Sequence, residues 1–219
     1  MQARQILNKN DENAKGSFFI DNEQYYVSFP VINHDYDERG YSFESSPNWI
    51  SNYGVRNNQG INCIVLHWDV CESVRDCFRT LCQRGLSAHL MIDWDGSVYQ
   101  ILDLIKLANH AKGCNHNSIG IMPQNPVNIL RNDRNRPLTA SREPDSNEPY
   151  SHLDFTNEQK EMVVKVCNDL CNIFPNIPRI TDILSEEEKI GILAHYNTQH
   201  GRYGSLWEEF YNADYIIRN

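Results

Sequence analysis

Asn109-His-Ala-Lys-Gly-Cys-Asn-His-Asn-Ser-Ile-Gly-Ile121 is the stretch on which the reading of this chain turns. Its second half, Ser118 to Met122, reads as a short apolar strand, and its first half as a loop carrying His110 and His116. Upstream, the apolar run Ile64-Val65-Leu66 closes on His67. More than a hundred residues later, Ile190-Gly-Ile-Leu-Ala closes on His195 in the same way. An apolar strand buries itself and delivers its last side chain to the sheet edge, a natural position for a metal-ligating imidazole. Two such strand ends with a histidine-bearing loop between them read as one pocket.

The rest of the chain bounds what surrounds that pocket. At 219 residues it is long enough for one well-cored domain with elaborations. A net charge of −9 argues against nucleic acid or an anionic membrane as the main partner, because both reward stripes of Lys and Arg. No apolar run approaches the roughly 18 residues a membrane span needs. The first ten residues lack the apolar core of a secretory signal, so the chain is expected to be cytoplasmic at synthesis. Seven cysteines without a Cys-x-x-Cys pair read as small buried hydrophobes rather than a closed structural zinc site.

Phe18-Phe-Ile and Tyr25-Tyr-Val read as a β-hairpin turning at Asp21-Asn-Glu. Residues 34–60 read as a packed loop, and residues 1–60 together as an N-terminal arm. The core begins at the Ile61–His67 strand and fills residues 61–219. Cys71–Arg84 is predicted helical, with Val74, Cys77, Phe78 and Leu81 on one face and Gly85 as its stop. Ser87–Asp93 and Ser97–Ile101 flank Trp94-Asp-Gly96, a strong hairpin signal. Residues 123–155 hold five of the nine prolines and four arginines, and read as a long insertion without regular structure. Thr156-Asn-Glu-Gln159 is a capping box for a helix to Phe174. Short helices are expected from Ser185 and over Ser205–Tyr215. The whole is predicted to be α/β, a single domain with a central mixed β-sheet flanked by helices.

In order, the strand ending at His67, the helix, Ser87-Ala-His-Leu-Met-Ile-Asp-Trp-Asp-Gly-Ser-Val-Tyr-Gln100, the 109–121 stretch and Ala194-His195 resemble the zinc-dependent N-acetylmuramoyl-L-alanine amidases. That fold is shared by bacteriophage lysozyme-amidases and peptidoglycan recognition proteins. The resemblance covers roughly residues 61–210. It implies Zn2+ held by three protein ligands with a fourth position for water, and hydrolysis of the amide joining muramic acid to L-alanine. His67 and His195 match the histidine ligands. His110 would line the pocket, orienting substrate or donating to the oxyanion, with Asn115 and Trp68 beside it as substrate contacts. His89 and His116 match structural positions, and Cys71 and Cys77 match a disulfide of the animal proteins.

Three departures accompany the match. Aligning Gly201-Arg-Tyr-Gly-Ser205 with the family's turn puts Ser205 where an acid or thiolate ligand is expected and Tyr203 where a lysine is. His200 is the candidate replacement ligand, since imidazole suits zinc. Met122 occupies a position at which many members carry a glutamate base, and Ala88 one at which others carry a tyrosine. Tyr99, Tyr203 and Arg202 are the candidates for handling the proton. The sequence therefore leaves two readings, a zinc amidase acting on peptidoglycan or muropeptides, or a binding module that keeps the cleft without the chemistry. A third, an amide hydrolase of the same fold with another substrate, stays open beside them. The sequence leaves open whether the protein stays cytoplasmic or reaches cell wall by release or delivery.

Overall fold

A computed structural model describes residues 13–21, 23–33, 38–45, 53–56, 60–69, 71–126, 136, 138–142, 149–181, 189–195 and 198, with backbone alone for 138–142 and 149–152. The expected helices from Ser185 and over Ser205–Tyr215 lie outside the described residues, as do His34, His200, Arg202, Tyr203 and Ser205.

Six strands form the central sheet. They are β3 (Val31–Asn33), β5 (Cys63–Leu66), β6 (Leu90–Ile92), β7 (Val98–Gln100), β9 (Ser118–Pro123) and β12 (Gly191–Ala194), in the spatial order β12-β5-β9-β6-β7-β3. Only β6 and β7 pair antiparallel; the other four neighbours run parallel, so the sheet is mixed. The β6–β7 turn is the Trp94-Asp-Gly96 hairpin, with Gly96 at φ +82°. Its Cα also packs close to the helix start at Glu158, where a Cβ would lie 3.2 Å from the Glu158 carbonyl oxygen.

Among the described residues, two helices cover the sheet. Helix α1 (Val74–Gln83) starts at Ser73, whose hydroxyl accepts from the Asp76 amide, and buries Val74, Cys77, Leu81 and Cys82. Helix α2 (Asn157–Ile173) starts at the predicted capping box, with the Thr156 hydroxyl accepting from the Gln159 amide and the Gln159 side chain returning to the Thr156 amide. Side chains alternate across a strand. Ile64, Leu66, Ile119, Ile121 and Ile192 therefore face the core shared with Val163, Val166 and Leu170 of α2. The opposite alternation, Met91 and Met122, packs with Val74, Cys77 and Leu81 of α1. Among the described residues no helix is long and apolar enough to cross a membrane.

Described residues of the first sixty are built into this core. Strands β1 (Gly16–Ile20) and β2 (Glu23–Val27) form the expected hairpin, turning at Asp21 with φ +54°. Phe18, Ile20, Val27 and Phe29 bury themselves in the α2-side core, and β3 adds an edge strand beside β7. The short pair β4 (Tyr53–Gly54) and β8 (Leu107–Ala108) was not expected.

The 123–155 segment departs from expectation. It holds an antiparallel hairpin, β10 (Leu138–Arg142) against β11 (Pro149–Leu153). Pro149 opens its strand, a position where a missing amide costs least. Arg136 anchors the hairpin: its guanidinium is buried and donates to the Asn125 side-chain oxygen at 2.8 Å and to the Asp154 carbonyl. All seven cysteines are free thiols, six of them buried. Cys71 is half-buried and its thiol is pulled down to about 7, chiefly by a hydrogen bond with Cys77.

Candidate metal centre and active site

The period of two that builds the core also builds the site. Along β5, Cys63 and Val65 share a face, and His67 follows on it. On β12, Leu193 takes that face and His195 follows. On β9, Ser118, Gly120 and Met122 take it too. The register aligns Cys63 with Ser118, Val65 with Gly120 and Leu193 with Val65. Beneath the 109–117 segment, Cys63, Val65, Leu193, Ala111 and Cys114 form a small closed cluster. His67 and His195 follow on this face, each directly after the last paired residue of its strand.

The two imidazoles lie side by side, with ring centroids 4.5 Å apart and planes tilted by 34°. The His67 amide continues the ladder by donating to the Ile121 carbonyl at 2.9 Å. After His195 the chain turns at once, since Thr198 donates to the His195 carbonyl through both its amide and its hydroxyl. Burial, and then the neighbouring His195, hold His67 well below its ordinary proton affinity. Its ring is therefore neutral, the form that can give a lone pair to a metal.

His110 lies against His67, with ring centroids 5.1 Å apart and planes at 74°. Its Nδ1 is 2.9 Å from His67 Nε2, and its Nε2 is 3.1 Å from the Ser118 hydroxyl. The ring rests on Gly120, where a Cβ would come within 2.7 Å of its Cγ and Nδ1. Burial and then the surrounding His67, His89, Arg56 and His195 push its proton affinity well down.

Behind His110 stands His89, fully buried, with ring centroids 5.8 Å apart. The Gly120 amide donates to His89 Nδ1 at 3.0 Å, so the proton sits on Nε2 and is donated to the Lys106 carbonyl at 3.1 Å. Burial and then Arg56 hold His89 down to about 3. The Arg56 guanidinium donates to the carbonyls of Ile105, Lys106, Asn115 and Ser118, clamping the 105–118 segment to β9. Burial lowers its proton affinity to about 10, which leaves it charged at neutral pH.

The other candidate contacts are placed as follows. The Asn115 side-chain oxygen accepts from the His110 and Ala111 amides at 3.0 and 2.7 Å, closing the loop that carries His110. Asn117 bridges Asn62 and the Lys189 carbonyl, joining the loop to the strands on either side. Trp68 is half-buried, and its indole N–H donates to the Asn125 carbonyl. Asp69 accepts from the Cys71 and Asn125 amides through Oδ1, while its buried Oδ2 has no hydrogen-bonding nitrogen or oxygen among the described residues. His116 is exposed on the loop. Tyr99 lies on β7, three strands from β5, against Tyr41 at 6.1 Å between ring centroids.

Met122 and Ala88 are both buried and apolar in their surroundings, with Met122 Sδ 3.9 Å from Cys77 Sγ. Among the described residues no group of three His, Cys, Asp or Glu side chains converges as a metal-binding set. The donors that are described fit part of such a set, two imidazoles on adjacent parallel strands. Sequence reasoning missed Arg56 and Ser118. Ser118 carried a signal, a small hydroxyl within the apolar run of a buried strand; Arg56, alone in a polar loop, carried none.

No curated protein sequence matches the chain. Among solved structures, it is similar to the N-acetylmuramoyl-L-alanine amidase LysC from Clostridium intestinale, with 17% identity over 86% of this chain and 99% of that one and a TM-score of 0.53. LysCS, an endolysin amidase from the same organism, gives 16% identity, coverage of 85% and 95%, and a TM-score of 0.52. Drosophila PGRP-LB gives 13% identity, coverage of 86% and 97%, and a TM-score of 0.50. At these identities the likeness speaks for the fold. A profile of the N-acetylmuramoyl-L-alanine amidase family matches residues 56–204, well over half the chain and the whole stretch from the Arg56 clamp past both strand-end histidines. The chain therefore belongs to the N-acetylmuramoyl-L-alanine amidase family.

Proposed function

We propose that the protein is a zinc-dependent amidase that hydrolyses the amide between N-acetylmuramic acid and L-alanine in peptidoglycan or muropeptides. The observation that supports this most directly is the pair of imidazoles at the ends of β5 and β12, 4.5 Å apart and backed by buried structure. His67 and His195 would hold the ion, and His200 would complete the set. When bound, zinc lowers the pKa of a water towards neutrality and polarises the scissile carbonyl.

The chain's own residues supply the rest. The 109–117 loop, fixed by Arg56 and Asn115, carries His110 up to His67, and Trp68 follows His67 with its indole N–H on the Asn125 carbonyl. In this reading the loop and Trp68 would hold the lactyl-alanine amide against the histidines. Attack of a water at the carbonyl carbon builds charge on its oxygen, and the C–N bond breaks as the alanine nitrogen gains the proton that the water gives up, leaving a lactyl carboxyl group and a free amine. Arg202 and Tyr203, in the segment after His195, are the proposed groups for stabilising that charge and delivering that proton. Incubation with a muramoyl-tripeptide and mass analysis of the products tests this: released free peptide supports it, and intact substrate with the zinc-loaded protein overturns it.

One observation favours a second reading. The positions at which the resemblance implies a carboxylate or a phenol are filled by Met122 and Ala88, both buried. A module that binds muropeptide without cleaving it keeps the cleft and needs neither group. Muropeptide binding by calorimetry without turnover is the outcome it predicts.

A further inference from the structure

His110 has no ring nitrogen to spare. The Ser118 hydroxyl is 2.6 Å from the Cys114 carbonyl, which can only accept, so its single proton is committed there. The contact between Ser118 and His110 Nε2 must then run the other way, with Nε2–H donating to the Ser118 oxygen at 3.1 Å. That places the one proton of neutral His110 on Nε2 and makes its Nδ1 an acceptor. His67 Nε2, 2.9 Å from that Nδ1, must carry the hydrogen between them. In neutral His67 the nitrogen left with a lone pair is Nδ1.

We propose that His110 and Ser118 are positioning residues, forming a one-way hydrogen-bond relay from His67 to the Cys114 carbonyl that fixes His67 as the Nε2–H tautomer and reserves Nδ1 for a metal ion. A ligating histidine generally donates its other ring hydrogen to an oriented acceptor, which sets its tautomer and its aim. Here a second histidine takes the place of the usual carboxylate or carbonyl, and β9 supplies what that histidine needs. Ser118 receives its proton, and Gly120, lacking a Cβ, gives its ring a seat. The relay leaves His110 acting through His67 rather than on substrate. Its use for metal rests on the proposed amidase reading; the relay itself does not.

Nitrogen-15 histidine spectra of the metal-free protein test the relay, because long-range ring correlations separate the two neutral tautomers. His67 and His110 are both expected as Nε2–H. In Ser118→Ala, His110 should lose that preference; in His110→Leu, His67 should populate both tautomers. Zinc affinity, measured by chelator competition, should weaken about 10–100-fold in His110→Leu. His110→Asn, whose side-chain oxygen falls near the place of Nδ1 and can accept from His67, should recover most of the loss. Well-dispersed amide spectra show that each variant is folded, and Ser118→Ala serves if His110→Leu is not. His67 found as Nδ1–H, or tautomers and affinity unmoved in folded variants, would overturn the relay. An unmutated chain that takes up no zinc but shows both tautomers as expected would overturn the amidase reading and leave the relay standing.

Discussion

At the scale of single residues, the site is a stack of histidines kept neutral by burial. For each of His67, His89 and His110 the folded protein binds its proton more weakly than the unfolded chain does. The unfolded chain takes protons as pH falls through about 6.5, so the stability these rings contribute is present above that value and is lost towards lower pH. For His89 the loss extends to about 3. Each tenfold change in proton affinity is worth about 1.4 kcal/mol, so acid should remove several kcal/mol in all. Asp69 opposes this, since burial raises its proton affinity well above the ordinary carboxyl range and its cost grows as pH rises. Asp69→Asn keeps the acceptor for the Cys71 and Asn125 amides. It should stabilise the protein at pH 7 by roughly 1–3 kcal/mol and steepen the loss between pH 7 and 4, both read by urea unfolding. Gly120→Ala should destabilise by about 1–3 kcal/mol through overpacking against His110, and should weaken zinc binding; an unchanged midpoint would mean the ring has another seat.

At the scale of elements, caps and anchors connect the site to its surroundings. Thr156 caps α2 and also donates to the Trp94 carbonyl, so one hydroxyl ties the β6–β7 turn to the helix. Thr156→Ala should cost about 1 kcal/mol, with the amides of the first α2 turn exchanging faster. Arg136 ties the β10–β11 hairpin to Asn125, whose carbonyl receives the Trp68 indole and whose amide binds Asp69. Arg136→Ala leaves buried acceptors unpaired and should cost roughly 1–3 kcal/mol. Hydrogen exchange should then quicken in the 138–153 hairpin and at Asn125; protection confined to its original values would separate the hairpin from the site. These elements also mark how far sequence reaches. The α2 capping box, the Asp95-Gly96 turn and the strand ends at His67 and His195 were legible because each is a local pattern with a local cause. The 138–153 hairpin was not, because prolines and arginines masked a pairing that depends on Arg136 finding distant carbonyl and amide partners. The His110 relay was half legible: the loop and its histidine were plain, but the direction of its hydrogen bonds needs Ser118 and Cys114 in place.

At the scale of the whole molecule, the N-terminal hairpin and β3 close one end of the core that α2 shares. Phe18 is fully buried, and its amide neighbour Phe19 is bound through backbone to the buried Gln100 side chain. Phe18→Ala should cost about 3–5 kcal/mol, and removal of residues 1–33 should abolish cooperative unfolding; a truncated chain that still melts sharply would make the segment an appendage. The family's fold was legible from the order of its segments, while membership rests on the profile match across residues 56–204. Whether His67 and His195 together hold zinc is tested by metal analysis of the freshly purified protein with its His67→Ala and His195→Ala variants. Close to one zinc per chain is expected, lost in both variants; a folded, unmutated protein that takes up no zinc even after reconstitution would mean the two histidines do not form a metal site.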